Sequence, residues 1–401
     1  MTTVYKGLPN AIYRLFVIKL VLDYGTFVLP FLTLYLSFHY HIDEDRIGVY
    51  LMIINVGTIL GSVMGGSLSD RYGRKYVIIF SLILSAACYM MVPWAQSSTP
   101  AIALISLSMA VFAMADPAFN ALVGDLTEGP QREAAFSLLY LGANAGLSAG
   151  ALTASYLFAK DVRLLFWGEG AITLIAGVGL LLTLKTTPRV GCSEPKEGLH
   201  APVTRSQHDW SKLLLESPSI MIFAALYAAH PIIYSQVNFS LPLFLTEAYP
   251  ETGVGYYGRM IAINTAAVIL LSPIINSLTQ KRSALGCVAF GIGLYSVGFG
   301  LYALTSNIVW IFSSVFIWTI GEILTVTHAK VFVAEMTTPM TRGRTNTLID
   351  VSYEIGYSVG PFMFGKVIAT FGVIYVWPII AGVALSSAGG LWLLYRKLRS
   401  T

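Results

Sequence analysis

Cysteine is nearly missing from this sequence, with three among 401 residues. Cys88, Cys192 and Cys287 are far apart and show no CxxC spacing, which excludes a disulfide scaffold and a thiolate metal centre and leaves packing as their role. Charge is also scarce, at 11% of residues. There is no Walker-type phosphate loop, no nucleophile elbow and no His/Cys cluster with metal-ligand spacing. No enzyme chemistry, nucleotide, metal or other cofactor is therefore expected. The net charge of +4 points to no nucleic-acid partner, because the bases collect in short loops between apolar runs.

What fills the chain is apolar. Hydrophobic residues make up 55% of it and the mean hydropathy is +0.69, a composition suited to lipid rather than water. Apolar runs of about 20 to 26 residues are long enough to cross a hydrocarbon core of about 30 Å, and lipid offers backbone groups no hydrogen bonds, so these runs are expected to be helices. Hydropathy predicts twelve spans, near residues 12–38, 47–68, 76–96, 101–124, 133–159, 164–185, 218–246, 257–279, 284–305, 307–332, 346–370 and 373–395. The first run, Ala11 to Phe38, is too long for a signal-peptide core, and no cleaved leader is expected.

One long polar connector, Lys185 to Ser217, carries Pro188, Gly191, Pro195, Gly198 and Pro202. It divides the chain into an N-terminal bundle (1–185), a linker (186–217) and a C-terminal bundle (218–401). Bases such as Arg71, Arg74, Lys75, Arg132, Lys281 and Arg282 fall in alternate loops and in the linker. That asymmetry predicts both termini in the cytoplasm. The halves also repeat at an offset of about 210 residues: Arg132 matches Arg342, and Gly146-x-Ser148-x-Gly150 matches Gly356-x-Ser358-x-Gly360. A parallel repeat of half the chain predicts two pseudo-symmetric six-helix bundles with a site between them near the membrane midplane.

Between the second and third spans lies "GGSLSDRYGRKY", residues 65–76. It resembles the G-x-L-x-D-R-x-G-R-K loop of the major facilitator superfamily, with Gly66, Leu68, Asp70, Arg71, Gly73, Arg74 and Lys75 on pattern positions. "ADPAFNALVGDL" (115–126) with Arg132 resembles the fourth-helix region of bacterial drug:proton antiporters, and "GEI" at 321–323 is similar to a segment of a lactococcal multidrug antiporter. The fifth span departs from that group: Gly142, Gly146 and Gly150 lack the usual Gly-Pro pair, which stands instead at Gly360-Pro361. The bases of the loop have a topological role. Asp70 does not, and the resemblance implies a latch of Gly66, Asp70, Arg71, Gly73, Arg74, Asp125 and Arg132 that holds the halves together on the cytoplasmic side in the outward-open state. Gly66 would permit close helix contact.

Acids inside spans cost about 2.5 to 3.5 kcal/mol at helix centre and are rarely idle. Asp23 and Glu322 fall near midplane, while Asp116 and Glu354 lie somewhat to the cytoplasmic side. Asp23 has Lys19 one turn away as a structural partner, and Asp116 precedes Pro117, where an acid can cap a kink. Glu354 has Lys330 or Lys366 as possible partners on other helices. Glu322 has no base at i±3 or i±4, and a buried carboxyl without a cationic partner is a group that takes up and releases protons. His230, before Pro231 in the seventh span, is a further proton candidate, although a lone histidine is more often a core residue. Tyr24, Phe27, Tyr234, Gln236, Asn238 and Asn264 are candidates for the walls of a substrate cavity.

The expected function is proton-coupled export of drug-like or amphipathic small molecules by alternating access, in a monomer of the bacterial inner membrane. Its partners would be the substrate, protons and the bilayer. A second reading keeps the fold and moves one metabolite: a metallophore, a lipid-like compound or a nutrient. A third, a transporter-like receptor or scaffold that moves nothing, would be favoured by large soluble regions, and the chain has none.

Overall fold

A computed structural model describes residues 5–183, 218–337 and 342–400. The expected linker, with Cys192, lies outside the described residues. Twelve helical spans cross the molecule: α1 (Asn10–Tyr40), α2 (Glu44–Tyr72), α3 (Arg74–Trp94), α4 (Ser98–Asp125), α5 (Gln131–Lys160), α6 (Arg163–Thr183), α7 (Pro218–Ala248), α8 (Gly253–Thr279), α9 (Ala284–Leu304), α10 (Ile308–Met336), α11 (Arg342–Phe371) and α12 (Val373–Arg399). Eleven are apolar enough over 18 residues to cross a membrane on composition alone. The exception is α11, which is 30 residues long and carries Asp350, Glu354 and Lys366. The spans form an all-helical membrane protein of two six-helix halves, as hydropathy predicts.

Three spans are broken, and the breaks lie where polar groups gather. In α1 the helix stops at Tyr24 and restarts at Val28. The freed amides of Phe27 and Val28 donate to the Glu169 carboxylate on α6, at 2.9 and 2.6 Å, and the Tyr89 hydroxyl is a third partner. Glu169 therefore supplies the anion that a buried helix N-terminus requires. In α4 the break is at Met114, just before Asp116-Pro117. In α7 it runs from Ala228 through a 3₁₀ turn at Ser235–Val237 to Ser240.

The glycine repeat explains how the first helix of each half is held at its break. A Cβ on Gly146 would meet the Leu20 carbonyl at 2.5 Å and the Tyr24 amide at 2.7 Å, while one on Gly360 would run into the Ser235 hydroxyl. The α5 stripe thus seats α1, and the matching α11 stripe seats α7. Hydropathy cannot distinguish such backbone-on-backbone contact from an ordinary small-residue face.

The halves meet on the face that carries the α1–α2, α5–α6, α7–α8 and α11–α12 turns. There α2 lies on α11 and α5 on α8, with Gly48 against the Pro361 carbonyl and Gly365 against the Glu44 backbone. Thr33 donates to the Asn238 carbonyl at 2.8 Å, Ser148 to the Ala262 carbonyl at 3.0 Å, and Phe31 packs edge-on against Tyr257. At the opposite, basic end no hydrogen bond between described residues joins the halves.

Candidate functional site

At the basic end, Gly73 turns the chain at φ +97°, a backbone state that favours glycine. This aims Arg74 back along α2. Its guanidinium donates to Asp70 at 2.5 Å and to Asp125 on α4 at 2.9 Å. Arg132 donates to the Gly124 and Thr127 carbonyls, both at 3.0 Å, closing the end of α4. These bonds tie α2, α3, α4 and α5 of one half together, and none of them reaches the other half. Two expected members stand apart. Arg71 lies over the Tyr72 ring in solvent. Gly66 is not the close-contact glycine: a Cβ there would have 4.0 Å to Pro117, whereas one on Gly65 would strike the Met114 backbone. The helix rotates the neighbouring glycine, not Gly66, onto α4.

Deeper in the N-terminal half, Lys19 pairs with Asp23 at 3.2 Å and also feels the charge of Asp116 on α4. One ammonium thus serves two carboxylates. The second Asp23 oxygen is buried without a hydrogen bond, and Asp116 is exposed in mid-span. Tyr24 is tied to Thr153 at 3.1 Å.

The C-terminal half presents a different chemistry. Glu322 on α10 accepts from Asn264 on α8 at 2.9 Å, and the same amide reaches Thr319 at 3.0 Å. The Tyr234 hydroxyl is a second partner of the carboxyl. Tyr140 on α5 lies near enough to feel the Glu322 charge from across the interface. Glu322 thus has neutral partners among the described residues, and Asn264 holds it in place. Glu354 and Asp350 are exposed one turn apart on α11. Neither Lys330 nor Lys366 pairs with Glu354 among the described residues: Lys366 lies 4.6 Å from the Phe362 ring centroid. Lys330 and Asp350 line a cavity of about 410 Å³ with Tyr227, Ile349 and Tyr353.

Two expected wall residues do not line an open cavity in this conformation. Phe27 is 1% exposed, packed on Tyr24 and beneath Gly168, because the α1 break turns it inward. Gln236 is fully buried: its amide donates to the Ser235 hydroxyl and the Ile232 carbonyl of its own span and its oxygen accepts from Ser240, so its polar groups are taken up within the α7 break. Asn238 joins four spans: its amide donates to Tyr357, its oxygen accepts from Tyr257, and its carbonyl accepts from Thr33. His230 is buried at 1% exposure among the rings of Tyr227, Tyr234, Tyr295 and Tyr353.

Twelve spans in two halves, with ionisable side chains at mid-depth in each, define a membrane transporter of the secondary type. Residues 15–361 match the sequence profile of the Major Facilitator Superfamily, and the chain belongs to that superfamily. It is 24% identical over 381 residues to the Bacillus subtilis uncharacterized MFS-type transporter YqjV, covering 92% of this chain and 90% of that protein. It is 21% identical over 396 residues to a Na(+), Li(+), K(+)/H(+) antiporter of Planococcus maritimus, covering 92% of both. The multidrug resistance protein MdtH of Aeromonas hydrophila is 24% identical over 335 residues, 83% of this chain and 80% of its own length. Among solved structures, the nucleoside transporter NupG superposes with a TM-score of 0.76 at 16% identity, over 96% of this chain and 99% of the other. That likeness concerns the fold alone.

Proposed function

We propose that this protein is a proton-coupled exporter of amphipathic, positively charged small molecules. The observation that carries the reading is Glu322, a mid-span carboxyl held by the neutral groups of Asn264 and Tyr234. When ionised it is a counter-charge for a cation, and when protonated it is neutral, so proton and cargo compete for one site. Asp23 and Asp116 share a single lysine in the other half and add to the attraction for a cation. The named functions of two relatives, a multidrug resistance protein and a cation/proton antiporter, support the same direction.

In this reading the basic end faces the cytoplasm of a bacterial cell, with both termini inside, the bundles at 1–185 and 218–401 joined by the 186–217 linker, and the protein working as a monomer. The conformation described is then inward-open. The Asp70–Arg74–Asp125 cluster is the half of the latch that awaits its partner on the other bundle. Inverted membrane vesicles energised with a proton gradient test the coupling, with ethidium as the cationic probe. Glu322→Gln is expected to reduce uptake by about a hundredfold, and Asp23→Asn to weaken it. Wild-type uptake by both well-expressed variants would refute the reading.

A charged metabolite as the single cargo is the second reading, favoured by Lys330 and Asp350 in one cavity, neither of them in an ion pair among the described residues. A thermal-shift screen of drugs and metabolites at two pH values separates the two.

A further inference from the structure

Among the described residues, six buried polar atoms of the C-terminal half have no hydrogen-bond partner, and four of them lie together: both ring nitrogens of His230, the Tyr295 hydroxyl and the Thr325 hydroxyl. Unsatisfied buried groups are rare because each costs about 1–3 kcal/mol, so four together call for a purpose. They form one cluster. His230 stacks on Tyr295 with ring centroids 5.5 Å apart and planes 9° from parallel, and Thr325 faces the Tyr295 hydroxyl. Thr325 lies one turn from Glu322 on α10, and Tyr295 is near enough to Glu322 to feel its charge.

On its other side His230 touches Tyr227 and Tyr353, at 5.4 and 5.6 Å between ring centroids. Those two tyrosines line the cavity that holds Asp350 and Lys330 at the basic end. A line of groups able both to give and to accept a proton therefore runs from Glu322 to that cavity through the interior of a single half. Unpaired polar atoms on this scale suit an internal water, which takes two to four such partners.

We propose that Tyr295 and His230 relay the proton between Glu322 and the Asp350 cavity, apart from the path of the cargo. This rests on Glu322 being the coupling carboxyl. On release, the Glu322 O–H bond breaks and its proton passes by way of the Tyr295 hydroxyl to one ring nitrogen of His230. The other ring nitrogen gives up its proton toward Tyr227, Tyr353 and Asp350, leaving a carboxylate at Glu322 and one proton in the aqueous phase. The imidazole ends neutral, and rotation of the ring restores its tautomer. The rings packed against it are Tyr227 and Tyr234 on its own span, Tyr295 on α9 and Tyr353 on α11; Glu322 and Thr325 on α10 lie beyond Tyr295, and Asp350 on α11 lies in the cavity that Tyr227 and Tyr353 line. On α12, Ser387 donates to the Leu226 carbonyl. His328 on α10 has one ring nitrogen on the Leu324 carbonyl at 3.0 Å. A relay inside one half would let the proton leave while cargo fills the space between the halves.

The test needs no knowledge of the cargo. Purified protein in lipid nanodiscs is stepped in pH, and the carboxylic C=O infrared band that Glu322→Gln abolishes is followed in time. Tyr295→Phe and His230→Phe are each expected to slow the change of that band by at least about tenfold while leaving its final amplitude unchanged. Wild-type rates in both variants would overturn the relay and leave Glu322 as the coupling site. If no band depends on Glu322, the reading beneath the relay fails instead. Tyr295→Phe removes one oxygen at constant shape, so it decides the matter even where His230→Phe misfolds.

Discussion

The two halves share one backbone plan and differ in how they treat charge. In the N-terminal half Asp23 has Lys19 as a counter-charge and Asp116 shares it, while Glu169 is held by the open amides of α1. The ion pairs formed between described residues, Lys19–Asp23, Arg74–Asp70, Arg74–Asp125 and Arg163–Asp161, all belong to this half. The C-terminal half instead surrounds Glu322 with amide and phenol groups. A neighbouring lysine favours the ionised form of a carboxylate, whereas neutral donors supply no such charge. On the proposed function, the difference puts the main coupling carboxyl in the C-terminal half.

The largest effect should come from breaking the shared ion pair. Lys19→Met leaves two mid-span carboxylates without a cation and should cost about 3–5 kcal/mol, seen as a lower thermal midpoint in detergent. Adding Asp23→Asn to it should recover part of the loss. If Lys19→Met is as stable as wild type, the N-terminal half is not held by charge. The glycine stripes should respond alike, because they are pseudo-equivalent: Gly150→Val and Gly360→Val, at matching positions of the repeat, should each destabilise by about 1–3 kcal/mol through forced backbone displacement. A tolerant Gly360 beside an intolerant Gly150 would show that only one half depends on the contact.

Smaller again is the basic loop. Asp70→Asn should slow transport by about tenfold, or about 1.4 kcal/mol in the barrier, while substrate affinity stays near wild type. A pure loss of affinity would contradict a latch. The smallest effect belongs to Asp161, whose carboxyl is held below the usual carboxylate range by its hydrogen bonds to Arg163. Because its folded value is lowered, any stabilisation is present above the unfolded carboxylate range and is lost as pH falls through the folded value. Asp161→Asn should flatten that acid limb slightly, and high salt should erase the difference, since the pair is exposed.

Much of this was legible in the sequence. The twelve spans came from hydropathy to within a few residues, because in lipid the transfer energy of a run dominates everything local. The prominence of Asp23, Glu322 and Asp116 came from the same scale. What stayed hidden were contacts between distant backbones. Glu169 reads as one more acid toward a helix end; its purpose depends on a break in α1, more than a hundred residues earlier, whose amides it must satisfy. Gly65 and Gly66 are adjacent, and only the rotation of α2 against α4 decides which one touches. Phe27 and Gln236 sit at helix breaks, where an interior residue can be turned away from the face that a regular periodicity assigns to it.

The seam between the halves has a consequence for the working cycle. It is built from backbone contacts at Gly48 and Gly365, two hydroxyl-to-carbonyl bonds and an aromatic edge, with no buried charged group among the described residues there. Parting it requires no ion to be rehydrated, so its opening should be indifferent to ionic strength. In the proposed cycle the opposite end closes through the Asp70–Arg74–Asp125 cluster, and that closure should weaken as salt rises. On that proposal the molecule has a dry door on one side and an electrolyte-sensitive one on the other, so its balance of states should respond to the solution on one face of the membrane alone.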